Sequence, residues 1–502
     1  MFNLTTHCLA SNLARWPDTP AWVLVDADGG ETVWTFAAFA EAASRRAAAL
    51  VSLGLGRGDR VLLRLDNGSD AALLFFAAIA AGLVPVTCSP LLTRRELAAI
   101  ARASGARLLV QVDEPPGEAE GELPPLVLHP REVEERARRL EPAAVAATAA
   151  EDPAFLLFTS GTSGEPKGVL HAQRTILGRR PMRLGWQGFG PADRAMHAGR
   201  LNWTYTLGVG LMDPWAAGAT ALLLTGPADP ALWPELIARH RVTVFAAVPT
   251  VFRQILKYGD PERLRGSALR HALCAGEALP AELYAAWTEA TRRPLYEALG
   301  MSEISTYISS GPSTPVRPGS PGRPQPGRRI AILPEESGHD PLPPGETGLL
   351  AVHRSDPGLM LGYWQDEEAS AAAFRGPWFV GGDRALIDGD GYVWFQGRAD
   401  DVLKCQGFRV SALEVERVLA GHPAVAEVAV GVTRRADGVE LMTAYVVPAH
   451  RLDGETLLAW AADRLAAYKR PKLVRVIEAL PRTPNGKVIR ARLETVVAGG
   501  GG

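Results

Sequence analysis

Apolar positions recur along this chain at two different periods, and the exchange between those periods predicts its architecture. Ala37 to Leu53 has helical spacing, and the short apolar runs Arg60 to Leu65 and Arg107 to Val112 that follow have the length of strands. The exchange returns further on, with Thr220 to Leu224 strand-like, Leu232 to His240 helical, Val242 to Ala247 strand-like and Val251 to Tyr258 helical. Strands alternating with helices predict βαβ units and a mainly parallel sheet, so the fold class is α/β. The longest apolar run, Ala71 to Val86, is interrupted by Gly82 and Pro85. It is shorter than the roughly 20 residues that cross a bilayer, and it predicts a buried helix running into a strand.

Two stretches break the alternation. Residues 113–150 are rich in Glu, Arg and Pro and carry a polar helix around Glu132 to Leu140, a surface excursion before the apolar strand Ala154 to Phe158. Gly311 to Gly327 holds six prolines and is too stiff to be a helix. Beyond it, strand-like segments bounded by Gly and Asp dominate. Asp388-Gly389-Asp390-Gly391 offers a hairpin turn between Ala385-Leu386-Ile387 and Tyr392-Val393-Trp394, which predicts an antiparallel subdomain.

Composition narrows the function classes. At about 150 residues per domain, 502 residues suggest a multidomain globular protein. Lys plus Arg number 53 against 55 Asp plus Glu, a net charge of −2, so no global basic excess steers the chain onto nucleic acid or anionic lipid. From Lys404 onwards the balance reverses to 15 Lys plus Arg against 10 Asp plus Glu, a small basic domain after a larger acidic one. That basic face suits a polyphosphate ligand or is simply a solvated surface. The cysteines, Cys8, Cys88, Cys274 and Cys405, lie far apart with no metal-ligand spacing, as reduced thiols of a cytoplasmic protein do. The N-terminus lacks the basic and apolar regions of a secretory signal, so no export is expected. Nothing in the sequence decides between monomer and homodimer.

The most informative segment is Phe158-Thr159-Ser160-Gly161-Thr162-Ser163-Gly164-Glu165-Pro166-Lys167-Gly168, which follows a strand and gathers hydroxyls, glycines and a lysine. Such a loop points N–H groups and hydroxyls at phosphate oxygens, because glycine permits tight turning and close backbone approach. It is not the GxxxxGK[ST] phosphate loop, since Gly168 follows Lys167, and no GxGxxG opens a helix after a strand.

This loop resembles the TSGTSGxPKG hallmark of the adenylate-forming (AMP-binding) superfamily of acyl-CoA synthetases, peptide-synthetase adenylation domains and beetle luciferases. Further matches follow in the family's order: Ala275-Gly276-Glu277, Tyr296-Glu297-Ala298-Leu299-Gly300-Met301-Ser302-Glu303, Gly382-Asp383, Gly397-Arg398-Ala399-Asp400-Asp401, Gly407-Phe408-Arg409-Val410 and Pro484-Asn485-Gly486-Lys487. The resemblance runs from about Thr35 to Arg490. It implies a large N-terminal domain over 1–399, with mainly parallel sheets and an antiparallel barrel-like subdomain, and a small α+β lid over 400–502.

The resemblance also implies the chemistry. Family members activate a carboxylic acid with ATP and Mg²⁺ to an acyl-adenylate and pyrophosphate, and many pass the acyl group to coenzyme A. The negative charge that develops on phosphoryl oxygens calls for pre-placed cations and N–H donors. Lys487 resembles the lysine that reaches the carboxylate and α-phosphate, although by itself a lysine after Asn-Gly reads as a solvated hairpin residue. Glu303 resembles the Mg²⁺-holding carboxylate, and Ser302 adds a hydroxyl toward phosphate. Asp383 resembles the ribose-binding carboxylate. Tyr296, with Glu297, Ala298 and Gly300 beside it, and Ala275-Gly276-Glu277 match positions around adenine. Arg398 and Arg409 match arginines near ribose and phosphates. Asp400 corresponds to the hinge, and Gly407 lies on the lid face presented for thiol attack.

The acyl site is read from Arg200-Leu201-Asn202-Trp203-Thr204-Tyr205-Thr206-Leu207-Gly208, whose spacing is similar to that of benzoate-type CoA ligases. Trp203 and Tyr205 would wall a flat slot with Gly208 beside them, or they are core aromatics. Thr306 stands where those ligases are expected to carry His. Asn202 and Thr204 bring no charge to pair a substrate ammonium, which disfavours amino acids. The expected substrate is an aryl or alicyclic acid, or a short- to medium-chain one, used with free coenzyme A. The alternative is a stand-alone enzyme that loads a carrier protein.

Overall fold

The computed structural model describes residues 2–116, 121–160, 166–226, 229–399, 402–405, 408–434, 440–462, 464–465, 469–482 and 488–494. Residue contacts divide the chain into two compact units. The first comprises Met1–Ile330, Val352–Phe379 and Asp390–Val393, and the second Ala331–Ala351, Val380–Gly389 and Trp394–Gly502. The 399/400 boundary expected from the sequence falls within the last of these segments, and Asp400 itself lies outside the described residues.

Two large sheets build the first unit. The nine-stranded one runs, in spatial order, Arg323–Pro324, Ser305–Ser309, Leu295–Met301, His271–Ala275, Val244–Ala247, Arg194–His197, Thr220–Leu224, Pro20–Val25 and Glu31–Thr35. Its six central strands are parallel, and antiparallel strands close both edges. The seven-stranded sheet orders Gly362–Tyr363, Pro166–Ala172, Pro153–Ser160, Val84–Cys88, Arg60–Arg64, Leu108–Gln111 and Leu126–Leu128. The mainly parallel α/β arrangement expected from the apolar periods is therefore the one observed.

A parallel strand must be buried on both faces, and the residues show it. Trp22 and Leu24 enter one hydrophobic core while Val23 and Val25 enter another, and Ala221/Leu223 and Leu222/Leu224 on the neighbouring strand divide the same way. The helices Phe36–Ser52 and Ser69–Ala80 share the first core with residues of both sheets. Ala71 through Ala80 are all buried, as the unbroken apolar run required. The helix Arg94–Ser104 begins at a capping box in which Thr93 accepts from the Glu96 N–H and the Glu96 carboxylate accepts from the Thr93 N–H. It ends at Gly105, whose φ of +60° suits glycine.

Ala331–Ala351, Val380–Gly389 and Trp394–Arg398 contribute to a curled antiparallel sheet of Ile330–Leu333, Gly348–His353, Trp378–Ile387, Phe374–Arg375 and Val393–Arg398. Trp378–Ile387 and Val393–Arg398 flank the expected Asp388-to-Gly391 turn. Nearer the C-terminus, Val425–Arg434, Glu440–Pro448 and Leu473–Val476 form a three-stranded sheet. Helices Ala412–Ala420 and Gly454–Ala462 bury Val415, Leu419, Leu457 and Ala461 in one core with it.

Trp215 is the centre of the first core. Its ring lies 4.6 Å from Phe39, 5.0 Å from Phe76 and 5.7 Å from Trp22, and its Nε1–H donates to the Ala21 carbonyl at 2.7 Å. Truncation would leave a large void and an unpaired carbonyl. Trp215→Ala is expected to cost about 3–5 kcal/mol, read as a lower urea midpoint. A loss below about 1 kcal/mol would contradict this packing.

Three buried histidines add a pH dependence. Burial pushes His171 down to about 4, His197 to about 3 and His271 to about 4. Unfolded histidines titrate near 6.5. Between pH 6.5 and about 4 the unfolded chain binds protons that the folded one does not, so stability present above pH 6.5 is lost as pH falls through this window. The urea midpoint should drop steadily from pH 7 to pH 5, and a His171→Asn variant should drop less steeply. A midpoint independent of pH across that range would refute the neutral, buried assignment.

Candidate active site

The carboxyl ends of neighbouring parallel strands are where an open α/β sheet binds ligands. Arg194–His197, Val244–Ala247, His271–Ala275 and Leu295–Met301 are neighbours, and the segments that follow them hold Trp203, Tyr205, Gly208, Gly276, Glu277, Ser302, Glu303 and Thr306 among the residues expected at the site. Gly276 has φ +98°, and a Cβ there would meet the Trp203 ring at 2.8 Å, so the indole lies directly on this glycine. Trp203 is half-buried and meets Tyr205 edge-on, with centroids 5.6 Å apart at 89°. Tyr205 is buried behind it, stacked with Trp186 at 6.0 Å, and its hydroxyl donates to the carbonyls of Leu273 and Ala247 at 3.3 and 3.4 Å. Burial raises its phenol well above the ordinary range, so it is neutral. Tyr296 packs against the same cluster, and its carbonyl accepts from the Trp186 Nε1–H at 3.1 Å.

Glu297 is buried, and its carboxylate accepts the Leu279 N–H at 2.9 Å. It thus braces the loop after Ala275-Gly276-Glu277. Ala298 and Gly300 lie on the strand Leu295–Met301, which pairs antiparallel with Ser305–Ser309. A Cβ at Gly300 would sit 2.8 Å from the Cα of Thr306, so the two strands close tightly there. Thr306 is buried, with its Oγ1 donating to the Met182 Sδ at 3.0 Å.

The connection between these strands carries Ser302 and Glu303, and Ser305 adopts a φ of +74°, a strained value for a residue with a side chain. Interior charge holds it. Arg179 is paired with Asp213, both side chains buried, and its Nη1 donates to the Ser305 Oγ at 2.7 Å. Arg328 is paired with Asp356 at 2.7 Å, equally buried, and its Nη2 donates to the Thr306 carbonyl at 3.2 Å. His171 Nε2 faces the Ser302 carbonyl at 2.9 Å, and since burial keeps the ring neutral, that nitrogen carries the proton. Gly208, expected at the acyl site, lies against the Arg179 guanidinium so closely that any side chain would collide with it.

Glu303 itself accepts from the Tyr363 hydroxyl at 2.9 Å, and the Lys167 ammonium sits 3.3 Å from the centre of the Tyr363 ring. Thr159, whose Oγ1 donates to the Lys167 carbonyl at 3.4 Å, stands where the glycine-rich loop begins. Ser160 ends the strand Pro153–Ser160.

In the second unit, Asp383 is buried, and Arg398 Nη1 donates to its Oδ1 at 3.2 Å and to the Gly381 carbonyl at 2.8 Å. Gly382 between them has φ +86°. Arg409 lies on the strand Phe408–Ser411, opposite Lys404. Gly161, Thr162, Ser163, Gly164, Asp400, Gly407 and Lys487 lie outside the described residues.

The structure thus gathers Lys167 and Glu303 around Tyr363, lays Trp203 on Gly276, and packs Tyr205 and Tyr296 in the same aromatic cluster as Trp203. Tyr363, the Arg179–Asp213 and Arg328–Asp356 pairs and His171 escaped the sequence reading. Their spacing follows no motif, and only the pairing of distant segments brings them together. Among the described residues no cluster of three His, Cys, Asp or Glu side chains could hold a metal. No helix among them is long and apolar enough to cross a membrane.

Residues 9–364 match the AMP-binding enzyme family, and residues 414–487 match the AMP-binding enzyme C-terminal domain. The chain is 32% identical over 511 residues to the 3-hydroxybenzoate–CoA ligase of Aromatoleum sp. (strain CIB), covering 98% of this chain and 95% of that one. It superposes with a TM-score of 0.84 on a benzoate CoA ligase from Burkholderia xenovorans LB400, 30% identical, covering 98% and 100% of the two chains. For an anthranilate CoA ligase in complex with anthranoyl-AMP the TM-score is 0.85, with 29% identity and 98% and 97% coverage. Matched along nearly its whole length, the chain belongs to the AMP-binding enzyme family, as an adenylate-forming acid–thiol ligase.

Proposed function

We propose that this chain is an ATP- and Mg²⁺-dependent carboxylate–CoA ligase whose substrate is an aryl acid. The observation that carries the substrate reading is the Trp203 indole laid on Gly276, with Tyr205 perpendicular to it. A half-buried indole packed against an aromatic cluster suits a flat apolar ring. The relatives that are ligases of 3-hydroxybenzoate, benzoate and anthranilate support the same reading.

In the first step a carboxylate oxygen attacks the α-phosphorus of ATP, forming the acyl–phosphate bond as pyrophosphate leaves. In the second, the coenzyme A thiol loses its proton and attacks the acyl carbon, forming the thioester as AMP leaves. Asp383, held by Arg398, receives the ribose hydroxyls, and Tyr296 and Ala275-Gly276-Glu277 border adenine. Thr159, Ser160, Gly161, Thr162, Ser163, Gly164 and Lys167 cradle the phosphates, with Ser302 beside them. Lys487 and Arg409 offset the charge of carboxylate and α-phosphate. Glu303 fits the Mg²⁺ role. Magnesium keeps several waters and takes one or two carboxylates plus phosphate oxygens, so one half-buried carboxylate, bonded to the tyrosine whose ring faces Lys167, is enough. When bound, the ion supplies neutralisation of phosphate charge. A hinge near Asp400 exchanges Lys487 for the face around Gly407 between the two steps.

Pyrophosphate release measured with benzoates, cinnamates, cyclohexanecarboxylates and short to medium fatty acids, with and without coenzyme A, tests the proposal. Coenzyme-dependent turnover on ring acids is expected. Turnover confined to linear acids would remove the aryl reading, and pyrophosphate release with no thioester would shift the acceptor to a carrier protein. Lys487→Ala should cut ATP–pyrophosphate exchange by about 10²-fold or more while leaving thioester formation from a supplied acyl-adenylate within a few-fold. Intact exchange in that variant would take the adenylation role from Lys487.

A further inference from the structure

Tyr363 joins two of the residues assigned above to phosphate and metal, and no sequence motif pointed to it. Its segment is fastened from both sides. The Leu361 and Trp364 N–H groups donate to the Leu170 and Gly168 carbonyls at 2.8 Å each, which fixes the strap to the strand that carries Lys167. The Met360 N–H donates to the Glu303 carbonyl at 2.7 Å, which fixes the same strap to the turn that carries Glu303. The Tyr363 N–H donates to the Ser370 Oγ at 2.8 Å, and a Cβ at Gly168 would meet Trp364 at 2.9 Å, so the strap has little room to shift.

The phenol is thereby placed between an anion and a cation. Its hydroxyl donates to Glu303 Oε1 at 2.9 Å, a charge-assisted bond that selects one carboxylate rotamer. Its ring face receives the Lys167 ammonium 3.3 Å from the centroid. One rigid side chain thus sets the positions of two flexible charged ones.

We infer that Tyr363 is a positioning residue of the phosphate site, its hydroxyl orienting Glu303 for Mg²⁺ and its ring orienting Lys167 for the nucleotide phosphates. This rests on the reading of Glu303 as the metal carboxylate. The hydroxyl and the ring are separable. Tyr363→Phe deletes the bond to Glu303 and keeps the ring, whereas Tyr363→Leu deletes both.

The test is calorimetric titration of the full chain with α,β-methylene-ATP, which cannot be cleaved at the α-phosphorus, with and without Mg²⁺. Thermal melting verifies that each variant is folded. Y363F is expected to weaken Mg²⁺-dependent binding about tenfold while changing metal-free nucleotide binding less than twofold. Y363L is expected to weaken both. In an E303Q background, Y363F should add less than twofold, because the hydroxyl acts through that carboxylate. Wild-type Mg²⁺ dependence in Y363F, equal weakening with and without the metal, or multiplicative effects of Y363F and E303Q would each overturn the inference. If E303Q retained the full Mg²⁺ dependence, the metal reading of Glu303 would fail and take this one with it. If E303Q lost that dependence and Y363F did not, only the role of Tyr363 would fail.

Discussion

A strained turn such as the one after Glu303, the carboxylate proposed for Mg²⁺, keeps its shape only if its surroundings leave it no alternative, and in this protein buried charge supplies that constraint. Arg179 with Asp213 and Arg328 with Asp356 are each ion pairs with side chains under a tenth exposed. Their spare N–H groups bind the Ser305 hydroxyl and the Thr306 carbonyl, the two residues that follow Glu303 and Ile304. Desolvation offsets much of the attraction in such pairs, so their contribution lies less in net stability than in the conformation they enforce. The positive φ of Ser305, the bulge between Leu299 and Gly300 and the exit direction of Glu303 all depend on this framework.

The same framework reaches the aromatic segment. The Arg179 guanidinium lies on Gly208 and is gripped by Asp213, whose other neighbour is the Gln187 amide at 2.6 Å. The segment that presents Trp203 and Tyr205 is thus anchored at its far end by the arginine that holds the carboxylate turn. The aromatic segment proposed for the ring and the carboxylate turn proposed for the metal and phosphates share one buried cation, so displacement of either segment is felt at Arg179.

Much of the fold was legible in the sequence because its elements declare themselves locally. The run from Ala71 to Val86 became the helix Ser69–Ala80 and the strand Val84–Cys88, and the Asp388-to-Gly391 turn joins the strands its neighbours suggested. Edge elements were less visible. The strand Glu31–Thr35 is exposed along most of its length and has no apolar run to announce it, and the N-terminal helix Leu4–Arg15 mixes polar and apolar residues. Site residues divide in the same way. Those with glycine or hydroxyl punctuation, such as Thr159, Gly276 and Asp383, stood out, because tight turns and close approach demand particular residue types. Tyr363, Arg179 and His171 did not, because an isolated tyrosine, arginine or histidine reads as ordinary until strand pairing sets it beside a partner far along the chain. Tyr205 was read as pocket wall or core aromatic, and its buried hydroxyl on two backbone carbonyls puts it behind Trp203.

The claim from which the rest follows is that a carboxylate oxygen becomes bonded to the α-phosphorus of ATP before any thiol reacts. Turnover of a ring acid labelled with ¹⁸O in its carboxylate, followed by mass analysis of the released AMP, reads that bond directly. The expected result is one ¹⁸O atom in AMP, carried over when the thiol displaces the nucleotide. Unlabelled AMP, with the departing isotope recovered in pyrophosphate, phosphate or water, would contradict it.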